Sequence, residues 1–227
     1  MAGWRSPITG AVAKSTASAC IYVLAGTNGG GKSSVGGAAI RERGADYFNP
    51  DEATRRIRLA NPRISEREAN SAAWQEGKRL LEEAIAKCST FAIETTLGGE
   101  TITGLLLRAL AEGIEVRIWY VGLATPELHI ARVRARVARG GHDIPETTIR
   151  QRFEHSRINV IRLLPQLTEL RLFDNSTDAD PAAGLAPAPL LVLHIRDGKI
   201  AAMCDLASVP AWAKPIVAAA MTVSNDK

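Results

Sequence analysis

The sequence has few cysteines and no uninterrupted apolar run of the length that a membrane span needs. Its three cysteines are odd in number and far apart in the chain: Cys20, Cys88 and Cys204. This spacing supports neither a disulfide framework nor a zinc site, which favours a reducing, cytoplasmic environment. The apolar stretch 201–223 is interrupted by charged residues and by Pro210 and Pro215, so we do not expect it to cross a membrane.

Aromatic residues are also scarce, at 5% of the chain, and they are not interleaved with the arginines. A nucleic-acid-binding module that stacks bases on aromatic rings is therefore disfavoured, and a net charge of +4 is too modest to argue for one. A length of 227 residues suits one domain with a sizeable core. Residues 1–19 lack the pattern of a signal peptide and are interpreted as a flexible leader. Residues 20–227 then form a single domain.

One glycine-rich stretch carries the strongest motif in the chain. The apolar run 20–24 predicts a short buried strand, and 34–43 can form a helix. Between them, Gly26, Gly31, Lys32 and Ser33 fit the pattern G-x-x-x-x-G-K-[ST]. The alternative is a glycine-rich turn that only joins a strand to a helix.

Phosphate binding is the chemistry that this motif predicts. Glycines let the backbone turn so that successive N–H groups point inward, and the helix N-terminus adds partial positive charge. Lys32 would reach the β- and γ-phosphates, and the Ser33 hydroxyl would ligate Mg²⁺. The predicted nucleotide-binding residues of the loop are Gly26, Thr27, Asn28, Gly29, Gly30, Gly31, Lys32, Ser33 and Ser34.

Strands and helices alternate along the rest of the chain, which predicts an α/β fold with a mostly parallel sheet and helices on both faces. Further strands are expected at 45–50, 91–93, 114–123 and 170–173. Further helices are expected at 51–60, 65–87, 101–112, 125–139 and 146–164. The last two helices would form a lid over 125–164. A C-terminal extension over 177–227 would contain a surface loop, a β-hairpin at 190–203 and a helix.

Two acidic residues follow predicted strands and could meet the phosphate loop, because ligands gather at the carboxyl ends of parallel strands. Asp51 is the first candidate for the base that takes the proton of an acceptor hydroxyl, although it could instead be a helix N-cap. Asp46 is the second candidate, with a structural role favoured. Glu94 could hold acceptor hydroxyls or a metal-bound water, or act as a Walker B-like acid in an ATPase. Thr95 and Thr96 could add hydroxyl contacts or simply cap a turn.

Arginines concentrate on the first predicted lid helix and on the helix that follows. The first lid helix carries Arg132, Arg134, Arg136 and Arg139. Most of these arginines are expected to form a solvated face, and Arg132, Arg136 and Arg139 share one side of the helix. Arg139 differs, since it ends its helix beside a Gly-Gly pair, where a moving lid could bring its guanidinium to the transferring phosphate. Arg150 and Arg152 could approach the phosphates from the next helix. His142, in the intervening loop, is interpreted as structural or exposed.

Taken in order, these motifs resemble the zeta toxin family of P-loop kinases. The matching segments are 26–34, Asn49-Pro50-Asp51, Ile93-Glu94-Thr95-Thr96, 139–145 with Arg150 and Arg152, and 173–176. The resemblance implies a P-loop NTPase fold with three α/β/α layers. It also implies ATP- or GTP-dependent and Mg²⁺-dependent phosphorylation of a nucleotide sugar hydroxyl, such as that of UDP-N-acetylglucosamine, and an antitoxin protein as partner.

The same resemblance implies roles for individual residues. Asp51 would be the base, Glu94 and Thr96 would lie at the acceptor, and Arg139 and Arg152 would contact the phosphates. The chain departs from the family pattern in its unusually glycine-rich loop and in its tail, 190–227.

Three functions remain open from the sequence. The first is a small-molecule kinase, the second is a P-loop ATPase without a small-molecule acceptor, and the third is an RNA- or DNA-binding module that uses the arginine-rich helix. The second is disfavoured because the chain has no Leu-Ser-Gly-Gly-Gln signature.

Overall fold

A seven-stranded, mostly parallel sheet organises the fold. The computed structural model describes residues 19–37, 46–177 and 189–225. The strands are β1 (Cys20–Ala25), β2 (Asp46–Phe48), β3 (Phe91–Thr95), β4 (Glu115–Gly122), β5 (Glu169–Asp174), β6 (Leu190–Arg196) and β7 (Lys199–Met203). Their order across the sheet is β2-β3-β1-β4-β5-β6-β7. The first five strands are parallel, and β6 and β7 add to the β5 edge in antiparallel fashion.

Strand β1 lies inside the sheet, between β3 and β4. Val23 is in register with Ile93 on one side and with Ile118 on the other. All three side chains are buried, which explains why these strands appear in the sequence as nearly continuous apolar runs. The phosphate loop therefore starts at the carboxyl edge of a rigid parallel sheet.

Six helices surround the sheet in the described part of the chain. They are α1 (Pro50–Ala60), α2 (Glu66–Ala86), α3 (Glu100–Ala111), α4 (Pro126–Val137), α5 (Glu146–Leu163) and α6 (Lys214–Asn225). A short helical segment, Ser33–Gly37, follows the phosphate loop. On one face the strands pack into the main core with residues of α2, α3, α5 and α6. On the other face Leu24, Trp119 and Val121 pack with Val35 of the short segment. This is the predicted α/β architecture.

Helix starts follow the predicted signals with one exception. Ser65 and Glu68 form a capping box at α2, and Thr125 caps α4 through the Leu128 N–H at 3.2 Å. The interpretation of Asp51 as an N-cap is wrong. Asn49 caps α1 instead, since its Oδ1 accepts the N–H of Asp51 at 2.8 Å. Pro50 occupies the first helical position, so the cap must precede it.

The C-terminal extension folds as the sequence predicts. Its strands β6 and β7 form a hairpin through Asp197 and Gly198, whose φ angles are 51° and 77°. Positive φ at both central residues is the geometry that two-residue hairpin turns favour. In the described ranges, no helix combines the length and the apolar character that a membrane span needs. The 1–18 part of the predicted leader, the 38–43 part of the first helix and the 178–188 part of the surface loop lie outside the described residues.

Candidate active site

The phosphate loop leaves β1 through a close contact with strand β4. A Cβ on Gly26 would lie 2.1 Å from the Val121 carbonyl oxygen, and the Gly26 φ of +136° disfavours other residues. Within the loop, the Gly30 N–H donates to the Thr27 carbonyl at 3.1 Å. Lys32 is only 8% exposed although it is charged. The loop is thus folded tightly around its lysine.

Glu94 is the centre of a polar cluster against this loop. Its Oε2 accepts three hydrogen bonds, from Ser33 Oγ at 3.0 Å, Tyr47 Oη at 2.8 Å and Asn49 Nδ2 at 3.0 Å. Its Oε1 lies 3.6 Å from Lys32 Nζ. Glu94 is itself 9% exposed. Its carboxylate lies beside Lys32 and Ser33, the charged residue and the hydroxyl residue of the motif. The position favours the metal-side role considered for Glu94 over contact with acceptor hydroxyls.

Two members of this cluster were missed from the sequence. Tyr47 lies in β2 and Asn49 directly follows it. Strand β2 pairs with β3, where Glu94 lies. Adjacent parallel strands end at the same edge of a sheet. A tyrosine and an asparagine at the end of a predicted strand were therefore the available signal.

Asp51, in the first turn of α1, contacts an arginine of helix α4. Its Oδ2 accepts a hydrogen bond from Arg136 Nη1 at 3.2 Å, and its side chain is 59% exposed. Arg136 Nη2 also donates to the His142 carbonyl at 3.0 Å. The Nε of Arg136 is buried and has no hydrogen-bond partner among the described residues. Arg134 and Arg139 are exposed, as expected for most of these arginines. Arg136 is 36% exposed, and α1 supplies it with a carboxylate partner that the sequence did not indicate.

His142 forms polar contacts that connect the loop between α4 and α5 to helix α2. Its Nδ1 lies 2.6 Å from Glu66 Oε1, and its Nε2 accepts from Asn70 Nδ2 at 3.1 Å. The Asn70 Oδ1 in turn accepts from Thr54 of α1 at 3.0 Å. His142 is therefore structural, as expected, and it links the predicted lid to the α1–α2 pair.

The predicted arginines separate into two groups. Arg152 points at the phosphate loop, where its Nη1 donates to Asn28 Oδ1 at 2.7 Å. Burial lowers the pKa of Arg152, and the charge of Asp51 opposes that shift. Arg139 is exposed on the cavity wall. Arg150 instead donates to Glu127 at 2.6 Å on the surface, and it is not among the described residues that line the cavity.

The two predicted threonines shape the turn that follows β3. Thr95 Oγ1 accepts the N–H of Leu97 at 3.1 Å, and Thr96 Oγ1 accepts the N–H of Gly98 at 3.3 Å. Leu97 has a φ of 50°, which is strained for a leucine, and its carbonyl accepts from Asn159 Nδ2 of α5 at 2.8 Å. Both hydroxyls have the turn role considered for them, and both threonines also line the cavity.

A single cavity of about 2160 Å³ joins these groups. Its lining includes the phosphate loop, Glu94, Arg152 and Asp51. The lining also includes one face of α2, which no motif in the sequence indicated: Arg67, Asn70, Trp74 and Lys78. Trp74 is 42% exposed. A large indole left open on a cavity wall is a typical contact for a flat ligand.

His129 of α4 contacts the backbone of the phosphate loop. It is 1% exposed, and its Nδ1 lies 2.8 Å from the Asn28 carbonyl. Because a carbonyl only accepts, Nδ1 carries the proton. Burial lowers the pKa of His129 from 6.5 to about 4, the Asn28 bond opposes this shift, and the charges of Lys32 and Arg132 add to it. The imidazole is therefore neutral in the folded protein at neutral pH.

This histidine predicts how stability changes with pH. The pKa is lower in the folded state than in the unfolded state, so the stability is complete above pH 6.5 and is lost as the pH falls to about 4. We expect the loss to reach about 3 kcal/mol, the equivalent of the pKa shift. Urea unfolding of wild type and His129→Asn between pH 7 and pH 4 measures it, because asparagine keeps a neutral donor. His155→Asn, at an exposed position, is the control and should leave the wild-type slope intact. Parallel slopes for wild type and His129→Asn would contradict the assignment.

Comparison with known proteins agrees with this geometry. A family model described as Zeta toxin matches residues 9–179. An uncharacterized protein of Haemophilus influenzae is 32% identical over 132 residues, which cover 56% of this chain and 88% of that protein.

Solved structures share the fold at low sequence identity. An AvrRxo1-ORF1:-ORF2 structure with ATP has a TM-score of 0.63 and 15% identity, covering 89% of this chain and 64% of that chain. A structure from the PezAT chromosomal toxin-antitoxin system of the human pathogen Streptococcus pneumoniae has a TM-score of 0.53 and 14% identity, covering 94% and 88%. This chain therefore spans less than two thirds of the matched AvrRxo1 chain. The fold is that of a P-loop kinase, and because the family model matches most of its length, the chain belongs to the zeta toxin family.

Proposed function

We propose that the chain is an ATP-dependent kinase that transfers the γ-phosphate to a hydroxyl of a nucleotide sugar, such as UDP-N-acetylglucosamine. The observation that carries the proposal is the size and lining of the cavity. Its volume of about 2160 Å³ exceeds the roughly 300–1,000 Å³ of a site for one small molecule. It therefore has room for a nucleotide at the phosphate loop and for an acceptor beyond Asp51.

The phosphate end of the cavity supplies positive charge in a poorly hydrated setting. Lys32 is buried in the loop, and Arg152 is half-buried against Asn28. Fixed cations in such a site stabilise the charge that develops on a transferring phosphoryl group more than they would in water. Arg139 would add to them from the cavity wall. Transfer of the phosphoryl group is then mainly a matter of position and charge.

The oxygen groups beside Lys32 fit Mg²⁺. Ser33 Oγ and Glu94 Oε2 lie 3.0 Å apart, and hydroxyl and carboxylate oxygens are the ligands that this ion prefers. Ser33 and Glu94 would hold it, directly or through water. Bound Mg²⁺ would neutralise charge on the nucleotide phosphates.

Asp51 would complete the reaction as the base. As the acceptor oxygen forms its bond to the γ-phosphorus, the bond from that phosphorus to the departing ADP breaks, and the hydroxyl proton passes to the Asp51 carboxylate. Arg136 Nη1 donates to Asp51 Oδ2 at 3.2 Å, which keeps this carboxylate in place. Thr95 and Thr96 would offer hydroxyl contacts to the acceptor.

The α2 lining of the cavity supports an acceptor that has both a flat ring and negative charge. Trp74 offers an exposed indole for stacking, and Arg67 and Lys78 lie on the same face of α2. Nucleotide sugars combine a base with a diphosphate, so they match this lining.

An antitoxin protein is the partner that we propose, since the PezAT structure comes from a toxin-antitoxin system.

A P-loop ATPase is the second candidate, and the contacts of Glu94 with Lys32 and Ser33 favour it. An acid in that position can serve hydrolysis without any acceptor. By contrast, Arg132, Arg136 and Arg139 line the cavity, so these three arginines do not favour the nucleic-acid module.

Acceptor-dependent ATP consumption separates the two candidates. We expect slow consumption by the protein alone and a sharp rise with the correct acceptor from a panel of nucleotide sugars, because closure around both ligands assembles the site. Mass spectrometry should find the acceptor carrying one added phosphoryl group. Equal consumption with every acceptor and no phosphorylated product would favour the ATPase.

A further inference from the structure

The described part of the C-terminal extension, 189–225, lies beyond the 9–179 segment that the family model matches. It contains one large aromatic residue that reaches the carboxyl edge of the sheet. Trp212 is 3% exposed, and its ring lies directly over strand β4. A Cβ on Gly122 would be 2.4 Å from the Trp212 ring, so any other residue there would displace the indole. The ring also stacks on Tyr120, with centroids 5.9 Å apart and an interplanar angle of 30°.

The polar edge of Trp212 holds the end of strand β5. Its indole Nε1 donates to Asp174 Oδ1 at 2.8 Å. The same oxygen accepts from Ser176 Oγ at 2.6 Å, and Ser176 Oγ accepts the N–H of Ala124 at 2.7 Å. Three side chains thus fix the corner where β5 ends.

The next residue of that corner, Asn175, contacts the phosphate loop itself. Its Nδ2 donates to the Gly30 carbonyl at 3.0 Å, and its N–H donates to the Gly122 carbonyl at 3.0 Å. Asn175 is 6% exposed. A Cβ on Gly31 would lie 2.4 Å from the Asn175 amide nitrogen. The loop therefore folds directly onto the amide of Asn175, which Asp174 positions.

A second route leads from Trp212 to the loop through helix α5. Tyr120, on which the indole stacks, has its hydroxyl 2.6 Å from Ser156 Oγ, and Ser156 Oγ lies 3.5 Å from Thr27 Oγ1. The Trp212 carbonyl also accepts from Arg157 Nη1 at 3.3 Å. Both routes end on residues of the phosphate loop.

We propose that Trp212 is a positioning residue for the phosphate loop, acting mainly through Asp174 and Asn175. It is buried, and the cavity lining among the described residues does not include it. It holds the β5 corner in the geometry that lets Asn175 bind the Gly30 carbonyl, so that the backbone N–H groups of the loop point at the phosphates. The inference rests on the proposed nucleotide binding at this loop.

Direct binding of ATP tests the proposal without any acceptor. Trp212→Phe keeps an aromatic ring on Tyr120 and removes the indole N–H. We expect its ATP dissociation constant to rise about three- to tenfold, the equivalent of one lost hydrogen bond. Asn175→Ala should raise it by at least as much. In the double variant the two effects should not multiply, because both act through one contact chain.

Ile216→Val is the matched control, since Ile216 is a fully buried residue of the same extension and belongs to its helix α6. It should lower the melting temperature and leave the ATP dissociation constant at the wild-type value. Multiplying effects in the double variant, or unchanged ATP binding in Trp212→Phe, would overturn the proposal. Failure of the wild-type protein to bind ATP would instead overturn the proposed function.

Discussion

Asp51→Asn is expected to bind ATP normally and to transfer the phosphoryl group roughly 10²–10⁴-fold more slowly, the usual contribution of a general base. The structure makes this test clean, because Asn49 caps helix α1 and Asp51 does not. The substitution therefore removes a proton acceptor without removing a cap. The Arg136 contact can persist, since the amide oxygen of asparagine also accepts hydrogen bonds. Single-turnover rates with the identified acceptor, together with ATP binding, measure the effect.

Glu52→Gln is the control for Asp51→Asn. It also removes one negative charge from the first turn of α1, where acidic residues interact favourably with the helix dipole. Its rate should stay close to that of wild type. A wild-type rate in folded Asp51→Asn would remove the base role from Asp51.

Lys32→Ala is expected to lower the rate of phosphoryl transfer by roughly 10²–10³-fold or more, the cost of removing one fixed electrostatic contact to the transition state. Its effect should not come from unfolding. Glu94, the partner of Lys32 at 3.6 Å, keeps the three hydrogen bonds from Ser33, Tyr47 and Asn49. Circular dichroism should match wild type, and ATP turnover should be close to background.

Lys87→Ala provides a charge-matched comparison for Lys32→Ala. Lys87 is exposed at the end of α2 and pairs with Glu83 at 2.5 Å. Exposed pairs of this kind contribute little to stability, so this variant should retain full turnover. Near-normal turnover in Lys32→Ala would contradict phosphate binding by the loop.

The central strands and the phosphate loop could be predicted because their signals are local. Strands buried on both faces, such as β1 and β4, appear as short apolar runs. The loop motif combines close spacing with a strand before it. The signals for helix starts are also local, and Thr125 before Pro126 correctly predicts the N-cap of α4. The same pattern in Asn49 and Pro50 shows that the cap of α1 could have been assigned, since proline prefers the position after the cap.

The surroundings of the site could not be predicted because they depend on distant contacts. The shared face of Arg132, Arg136 and Arg139 was visible, but whether water or a carboxylate faces it depends on helix α1, 85 positions away from Arg136. Burial of His129 likewise depends on the phosphate loop, 101 positions earlier. Neither residue type reveals its partner, since arginine and histidine are common on exposed helices.

The order of strands in the sheet also determines when the phosphate loop can form during synthesis. Val23 of β1 pairs with Ile93 and Ile118, and parallel neighbours of this kind cannot form as local hairpins. The Gly30 carbonyl finds its Asn175 donor 145 positions later. The loop residues therefore leave the ribosome early and receive their supporting contacts late, and such long-range pairing is intrinsically slow. In a growing chain, the contact between Asn175 and the Gly30 carbonyl can form only after β5 has been synthesised.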